Sequence, residues 1–199
     1  MNIDVNALLV INAVNVMVLA LTVPLMMGQE LSNAARSARL ALMINALGWV
    51  CMIASNLWPE QWQDRLLSTF AMAGYSASNW LYFRALSSWL GPRPFARTVL
   101  MLAVLIPLGY AVLFPSYALR VGWSNFLLAV QMLMLARAAL RPLNDMQRNW
   151  RWAVAAATGG IAVFTAGRGV LGAFTDLYPS FLTPHPWNIA AMICANVSL

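Results

Sequence analysis

The chain has 199 residues, of which 61% are hydrophobic and only 9% carry a charged side chain. This composition excludes a water-soluble globular domain and indicates a membrane protein that crosses the bilayer several times. The net charge is +6 and all twelve basic residues are arginine, but no segment between the apolar runs is long enough to fold a nucleic-acid-binding domain, so nucleic acid is excluded as a partner.

Apolar runs long enough to cross the bilayer follow one another along the chain, since about 20 helical residues span about 30 Å of hydrocarbon. Six complete spans are predicted at residues 5–27, 38–57, 66–84, 96–114, 118–136 and 152–173. A seventh begins near Trp187, and its 13 residues to Leu199 reach only about 20 Å. We therefore expect one domain over residues 1–199, an all-α polytopic membrane helix bundle of about seven transmembrane helices, followed by a cytoplasmic output domain.

The arginines predict the orientation of this bundle. Nine of them fall after the first, third and fifth spans: Arg36, Arg39, Arg84, Arg93, Arg97, Arg137, Arg141, Arg148 and Arg151. The opposite side has Arg65 and Arg120. Because cytoplasmic loops carry the arginine excess, we expect a multi-pass protein of the bacterial inner membrane with a periplasmic N-terminus and a cytoplasmic C-terminus. The arginines after the fifth span suit either topological anchoring or binding to anionic lipid or a partner domain.

Several spans carry polar side chains. Residues recurring every three or four positions form one stripe on the third span: Ser68, Met72, Tyr75, Asn79 and Tyr82. That stripe is expected to face other helices, where such groups either hydrogen-bond between helices or line a ligand site. The fourth span has no strongly polar side chain in its middle and contains Pro107, so we expect a kinked, lipid-facing helix.

Arg168 stands in "TAGRGVLG", inside an otherwise uncharged apolar run, about 24 Å along the sixth helix from Trp152 and so near the outer face. One interpretation is that the guanidinium reaches outer headgroups or pairs with Asp176. The other is that flanking glycines admit neighbouring helices closely and direct the guanidinium into a polar cleft open to the outside. Those glycines are Gly167, Gly169 and Gly172.

The second interpretation predicts a ligand site. Its candidate residues are Arg168, Asn56, Asn125, Tyr75, Asn79, Trp123 and Asn188. A fixed positive charge among amides and aromatic rings suits a small or amphipathic molecule with an acidic group, such as a lipid-like ligand. His185, in the proline-rich outer loop, could sense pH or contact such a ligand.

Other functions lack the residues they need. A retinal Schiff base requires a lysine, and a membrane haem requires paired histidines, whereas this chain has no lysine and one histidine. No acidic residue lies deep in a span, so proton-coupled transport has no candidate carrier. We therefore predict no catalytic residue, no metal site and no cofactor within these 199 residues.

Four stretches carry a family resemblance: "MNIDVNALLVINAVNVMVLAL", "NWLYFRALSSWLG", "RPLNDMQRNWRW" and "CANVSL". Together they resemble the membrane sensor region of bacterial diguanylate cyclases of the GGDEF type. The resemblance implies a signalling receptor whose seventh helix leads into a dimeric cytoplasmic domain that uses Mg²⁺ and GTP to make cyclic di-GMP. The fragment itself would be non-catalytic. A histidine-kinase sensor, a small facilitative transporter and a structural membrane subunit remain as alternatives.

Overall fold

The structure, a computed structural model, describes residues 5–26, 32–141, 150–175, 185–187, 189–190 and 193. Over these residues the secondary structure is α-helical, with no strand. The helices are α1 (Val5–Met26), α2 (Asn33–Ser55), α3 (Trp62–Leu90), α4 (Ala96–Val112), α5 (Tyr117–Leu140) and α6 (Trp150–Phe174). They coincide with the six complete apolar runs of the sequence, and the all-α prediction is confirmed. Most of the expected seventh helix lies outside the described residues.

Three helices, α2, α5 and α6, are long and apolar enough to cross a membrane. The apolar part of α1 (Val10–Val23) and the 17 residues of α4 are shorter, and 17 residues reach only about 26 Å. The longest helix, α3, has 29 residues and includes Asp64, Arg65 and Arg84. The described residues thus support a membrane protein, while seven crossings and an outside N-terminus stay predictions.

Local chemistry determines where the helices begin and end. Ser32 caps α2 by accepting a hydrogen bond from the Ala35 backbone N–H at 3.2 Å. α3 ends at Gly91, whose φ of +83° is a conformation that glycine adopts without steric cost. Pro92 follows, and it cannot continue a helix. The short connection that results places α4 antiparallel beside α3.

The helices pack mainly against their sequence neighbours, and α3 also packs against α5. Glycines allow the closest crossings. A methyl group on Gly74 of α3 would lie 3.0 Å from the Cα of Gly48 on α2, and one on Gly122 of α5 would lie 3.1 Å from the Ala173 methyl on α6. Small residues at such crossings let backbones approach, which is how membrane helices gain dispersion contacts.

Pro107 lies inside α4 and removes one helical hydrogen-bond donor. The carbonyl left without its usual partner is that of Ala103, four residues earlier. It accepts a hydrogen bond from the Ser76 hydroxyl of α3 at 3.0 Å. The outward side of α4 exposes large apolar side chains, as a lipid-facing helix requires: Leu100, Met101, Val104, Leu105, Leu108 and Val112.

Candidate ligand site

The contact between α5 and α6 positions Arg168. Two glycines that flank it lie against α5: a methyl group on Gly169 would be 3.2 Å from the Asn125 Cβ, and one on Gly172 would be 2.5 Å from Val121 Cγ1. Gly167 lies under the Trp187 indole, where a methyl group would be 2.2 Å from Cζ2. These contacts hold α6, and with it Arg168, close to two other segments of the chain.

Arg168 is half-buried, and its guanidinium interacts electrostatically with the hydroxyls of Tyr75 on α3 and Tyr117 on α5. It approaches Tyr117 especially closely. Both tyrosine oxygens are buried. The Tyr117 oxygen is within hydrogen-bonding reach of the guanidinium, whereas the Tyr75 hydroxyl completes no hydrogen bond with any residue that the structure describes. The charge on α6 therefore acts on hydroxyl groups of α3 and α5. We call Tyr75, Tyr117 and Arg168 the tyrosine–arginine cluster.

A second arginine borders this cluster. The Arg120 guanidinium carbon lies 4.2 Å from the ring centre of Phe114, 5.4 Å from that of Tyr117 and 5.9 Å from that of Tyr110. Its Nη1 also donates to the Phe114 carbonyl at 3.3 Å. Stacking on three rings fixes Arg120 at this end of the bundle and adds positive potential beside Tyr117.

The predicted site residues have different surroundings in the structure. Tyr75 belongs to the cluster and packs on Trp49, with ring centres 5.3 Å apart. Asn125 is buried beside Gly169, but its amide donates to the carbonyl of Val121 at 2.8 Å, so it serves its own helix.

Two other candidate residues, Asn56 and Trp123, form hydrogen bonds to backbone carbonyls elsewhere. Asn56 is exposed at the end of α2 and donates to the Met52 carbonyl at 3.1 Å. The Trp123 indole donates to the Leu105 carbonyl at 3.2 Å. Asn188 lies outside the described residues.

Asn79 takes part in a polar contact that the sequence did not predict. Its amide donates to the side-chain oxygen of Gln131 at 3.2 Å. The Gln131 amide donates in turn to the backbone carbonyls of Ser76 at 3.0 Å and Val99 at 3.2 Å. Gln131 is fully buried and connects α3, α4 and α5. Its only sign in the sequence is a lone amide in the apolar run "LLAVQMLML".

His185 belongs to the short segment that carries Trp187. Its Nδ1 accepts a hydrogen bond from the Trp187 backbone N–H at 3.2 Å. The Trp187 indole donates to the Phe164 carbonyl of α6 at 3.0 Å and packs on the Phe164 ring. This segment is thereby attached to α6 about one turn before Arg168. Within the described part of the chain, no group of three His, Cys, Asp or Glu side chains is placed to hold a metal ion.

A separate groove of about 320 Å³ lies between α3 and α4. It is lined by Trp62, Arg65, Leu66, Thr69, Phe70 and Ala111. Arg65 closes one side by donating to the Ala111 carbonyl at 2.8 Å. The lining is mostly apolar, and Trp62, Leu66 and Phe70 are exposed.

Comparison with family models, with curated proteins and with solved structures found no match to this chain.

Proposed function

We propose that the chain is the membrane sensor module of a bacterial signalling receptor and that the tyrosine–arginine cluster binds its ligand, a small or amphipathic molecule with an acidic group. One observation supports this most directly. The buried Tyr75 hydroxyl of α3 has no hydrogen-bond partner among the described residues, and it feels the charge of the α6 guanidinium, which also reaches the Tyr117 hydroxyl of α5.

The chemistry of the cluster favours an acidic ligand. A buried polar group that lacks a partner costs about 1–3 kcal/mol, and an incoming acceptor can recover that free energy. A carboxylate or phosphate oxygen accepts from hydroxyl and guanidinium groups together, and charge-assisted hydrogen bonds are the stronger kind. A neutral alcohol offers no negative charge to the guanidinium, so the cluster should prefer acids.

Binding at this cluster would also affect the segment that carries Trp187. A ligand that contacts Arg168 acts on α6 directly beside Gly167, on which the Trp187 indole packs. A ligand changes output only if it binds two arrangements of the bundle with different affinity. We propose that the second arrangement moves the Trp187 segment and the seventh helix, which control a dimeric cytoplasmic diguanylate cyclase, as the family resemblance implies.

The binding step can be tested with defined probes. Purified protein in detergent micelles is titrated with dodecanoate and with dodecanol, and thermal unfolding is followed. Dodecanoate should raise the unfolding temperature more than dodecanol does. Arg168→Gln should weaken dodecanoate binding roughly tenfold, since a hydrogen bond to a charged group contributes about 1.5–3 kcal/mol.

Arg65→Gln is the matched control, because Arg65 is exposed and bonds to the Ala111 carbonyl in the separate groove. It should bind dodecanoate as the unmodified protein does. Equal increases in unfolding temperature with dodecanoate and dodecanol would show that the cluster is not the ligand site. Normal dodecanoate binding by the Arg168→Gln variant would show the same.

The output is tested on the native gene product. Membranes that contain it are supplied with GTP and Mg²⁺, and cyclic di-GMP is measured with and without dodecanoate. Production that depends on this protein supports the cyclase assignment. Autophosphorylation from ATP without cyclic di-GMP production would identify a kinase sensor instead. Solute uptake into proteoliposomes would identify the protein as a transporter rather than a receptor.

A further inference from the structure

Three arginines meet where α3 and α5 end and α6 begins: Arg93, Arg141 and Arg151. Arg93 is buried, with 8% of its surface exposed. Its Nη2 donates to the Leu90 carbonyl at 3.0 Å, and its Nη1 donates to the Arg141 carbonyl at 3.3 Å. Arg151 donates from Nε to the Ala139 carbonyl at 2.6 Å and from Nη2 to the Arg141 carbonyl. Helix-terminal carbonyls therefore hold two of the guanidiniums in place.

The charge in this arginine triad is not balanced by the carboxylates that the structure describes. Those carboxylates are Glu60 and Asp64, and 26 helical steps of α3, from Asp64 to Leu90, separate them from the triad by about 39 Å. Asp145, between Arg141 and Arg151 in the sequence, lies outside the described residues. Burial lowers the pKa of Arg93 from its usual value, and the charges of Arg151 and Arg141 lower it further. Arginine nevertheless stays protonated at physiological pH, so the triad is a concentrated positive charge.

The triad has both a buried donor and aromatic surroundings. The Arg93 Nε is buried without a hydrogen-bond partner among the described residues. Trp89 and Trp152, with 46% and 69% of their surfaces exposed, lie on the adjoining turns of α3 and α6. Tryptophan is enriched where a bilayer meets water, so this end of the bundle is suited to the headgroup region.

We propose that the arginine triad binds the phosphate of an anionic phospholipid, with Arg141 and Arg151 as the donors that contact the headgroup. The guanidinium fork matches phosphate geometry, and the bonds to helix carbonyls fix Arg151 before lipid arrives. A phosphate headgroup would add negative charge beside three arginines, of which Arg93 and Arg151 are held by bonds to helix carbonyls. This inference is independent of the proposed ligand at Arg168.

The experiment measures lipid binding to the intact chain. Purified protein in detergent is titrated with phosphatidylglycerol or phosphatidylcholine, and bound lipid is counted by native mass spectrometry. Phosphatidylglycerol should bind several-fold more tightly. Arg141→Gln, which changes an exposed side chain, should weaken phosphatidylglycerol binding about fivefold, as expected for one arginine at an anionic surface.

Arg97→Gln is the matched control, because it removes an equal charge from an exposed position at the same end of the bundle. It should change phosphatidylglycerol affinity less than twofold. Arg151→Lys keeps the positive charge but loses the planar guanidinium. It should still weaken phosphatidylglycerol binding if the guanidinium geometry matters. Equal affinity for the two lipids, or equal losses in the Arg141 and Arg97 variants, would overturn the triad as a lipid site. Displacement of phosphatidylglycerol by equimolar inorganic phosphate would identify free phosphate as the ligand and overturn the lipid assignment.

Discussion

Tyr75 and Ser76 are adjacent in α3, yet their hydroxyls have opposite surroundings. The Ser76 hydroxyl donates to the Ala103 carbonyl of α4, whereas the buried Tyr75 hydroxyl has no partner among the described residues. A buried hydroxyl with a partner contributes to stability, and one without a partner detracts from it. Ser76 therefore has a structural role, whereas the Tyr75 hydroxyl is available to bind a ligand.

Tyr75→Phe removes only the hydroxyl oxygen, so the packing on Trp49 should persist. We expect the free energy of unfolding to stay unchanged or to rise by up to about 1 kcal/mol, because an unsatisfied polar group is lost. The affinity for dodecanoate should fall. Thermal unfolding in detergent, with and without dodecanoate, checks both parts. A Tyr75→Phe protein that unfolds at a clearly lower temperature without dodecanoate would mean that the hydroxyl is already satisfied inside the protein.

At the scale of helices, α3 and α4 are joined by a bond that exists because of a proline. Pro107 removes the donor that would otherwise bond to the Ala103 carbonyl, and Ser76 supplies the replacement from the neighbouring helix. Inside a bilayer no water can do this, so the Ala103 carbonyl of α4 would depend on the neighbouring helix. The effects of mutating Ser76 and Pro107 on the free energy of unfolding should therefore not be additive.

A double-mutant cycle tests that coupling. Ser76→Ala alone should lower the free energy of unfolding by about 0.5–1.5 kcal/mol, in the range of hydrogen bonds between membrane helices. In a Pro107→Ala background, where residue 107 again has a backbone N–H, the same change should cost less. Reversible unfolding in mixed micelles gives the four values. Strictly additive losses would show that Ser76 and Pro107 act independently.

At the scale of the whole molecule, charge divides the bundle into two ends. Glu60 and Asp64 lie together at one end, where the Asp64 carboxylate accepts a hydrogen bond from the Glu60 backbone N–H at 3.2 Å. The arginine triad lies at the other end of α3. This separation is the structural basis for proposing that the triad faces the cytoplasm.

Cysteine accessibility measures that orientation directly. Cys51 and Cys194 are first replaced by alanine, and single cysteines are then introduced as Glu60→Cys or Arg97→Cys. In intact bacteria whose outer membrane has been made permeable, a membrane-impermeant maleimide should label the Glu60→Cys protein. It should label the Arg97→Cys protein only after the inner membrane is disrupted. The reverse pattern would place the N-terminus in the cytoplasm.

The sequence predicted the helices well, because a long apolar run leaves a chain little choice but to satisfy its backbone within a helix. It predicted individual partners less well. Gln131 gave a weak signal, since its role depends on three helices meeting at one side chain. For Arg120 only its side of the membrane was predicted, because the aromatic rings on which it stacks converge only after α4 and α5 have packed. The membership of Arg168 and Asn125 in a ligand site stays a prediction.

Gln131 also limits how the bundle can move. Its single amide group binds α3 and α4 while its backbone belongs to α5, so sliding any of these helices by one turn, about 5.4 Å, would break bonds that no water can replace. Tilting about this point keeps them. We therefore expect any rearrangement of α3, α4 and α5 to be a tilt about Gln131, in which the helix ends on opposite sides of it move in opposite directions.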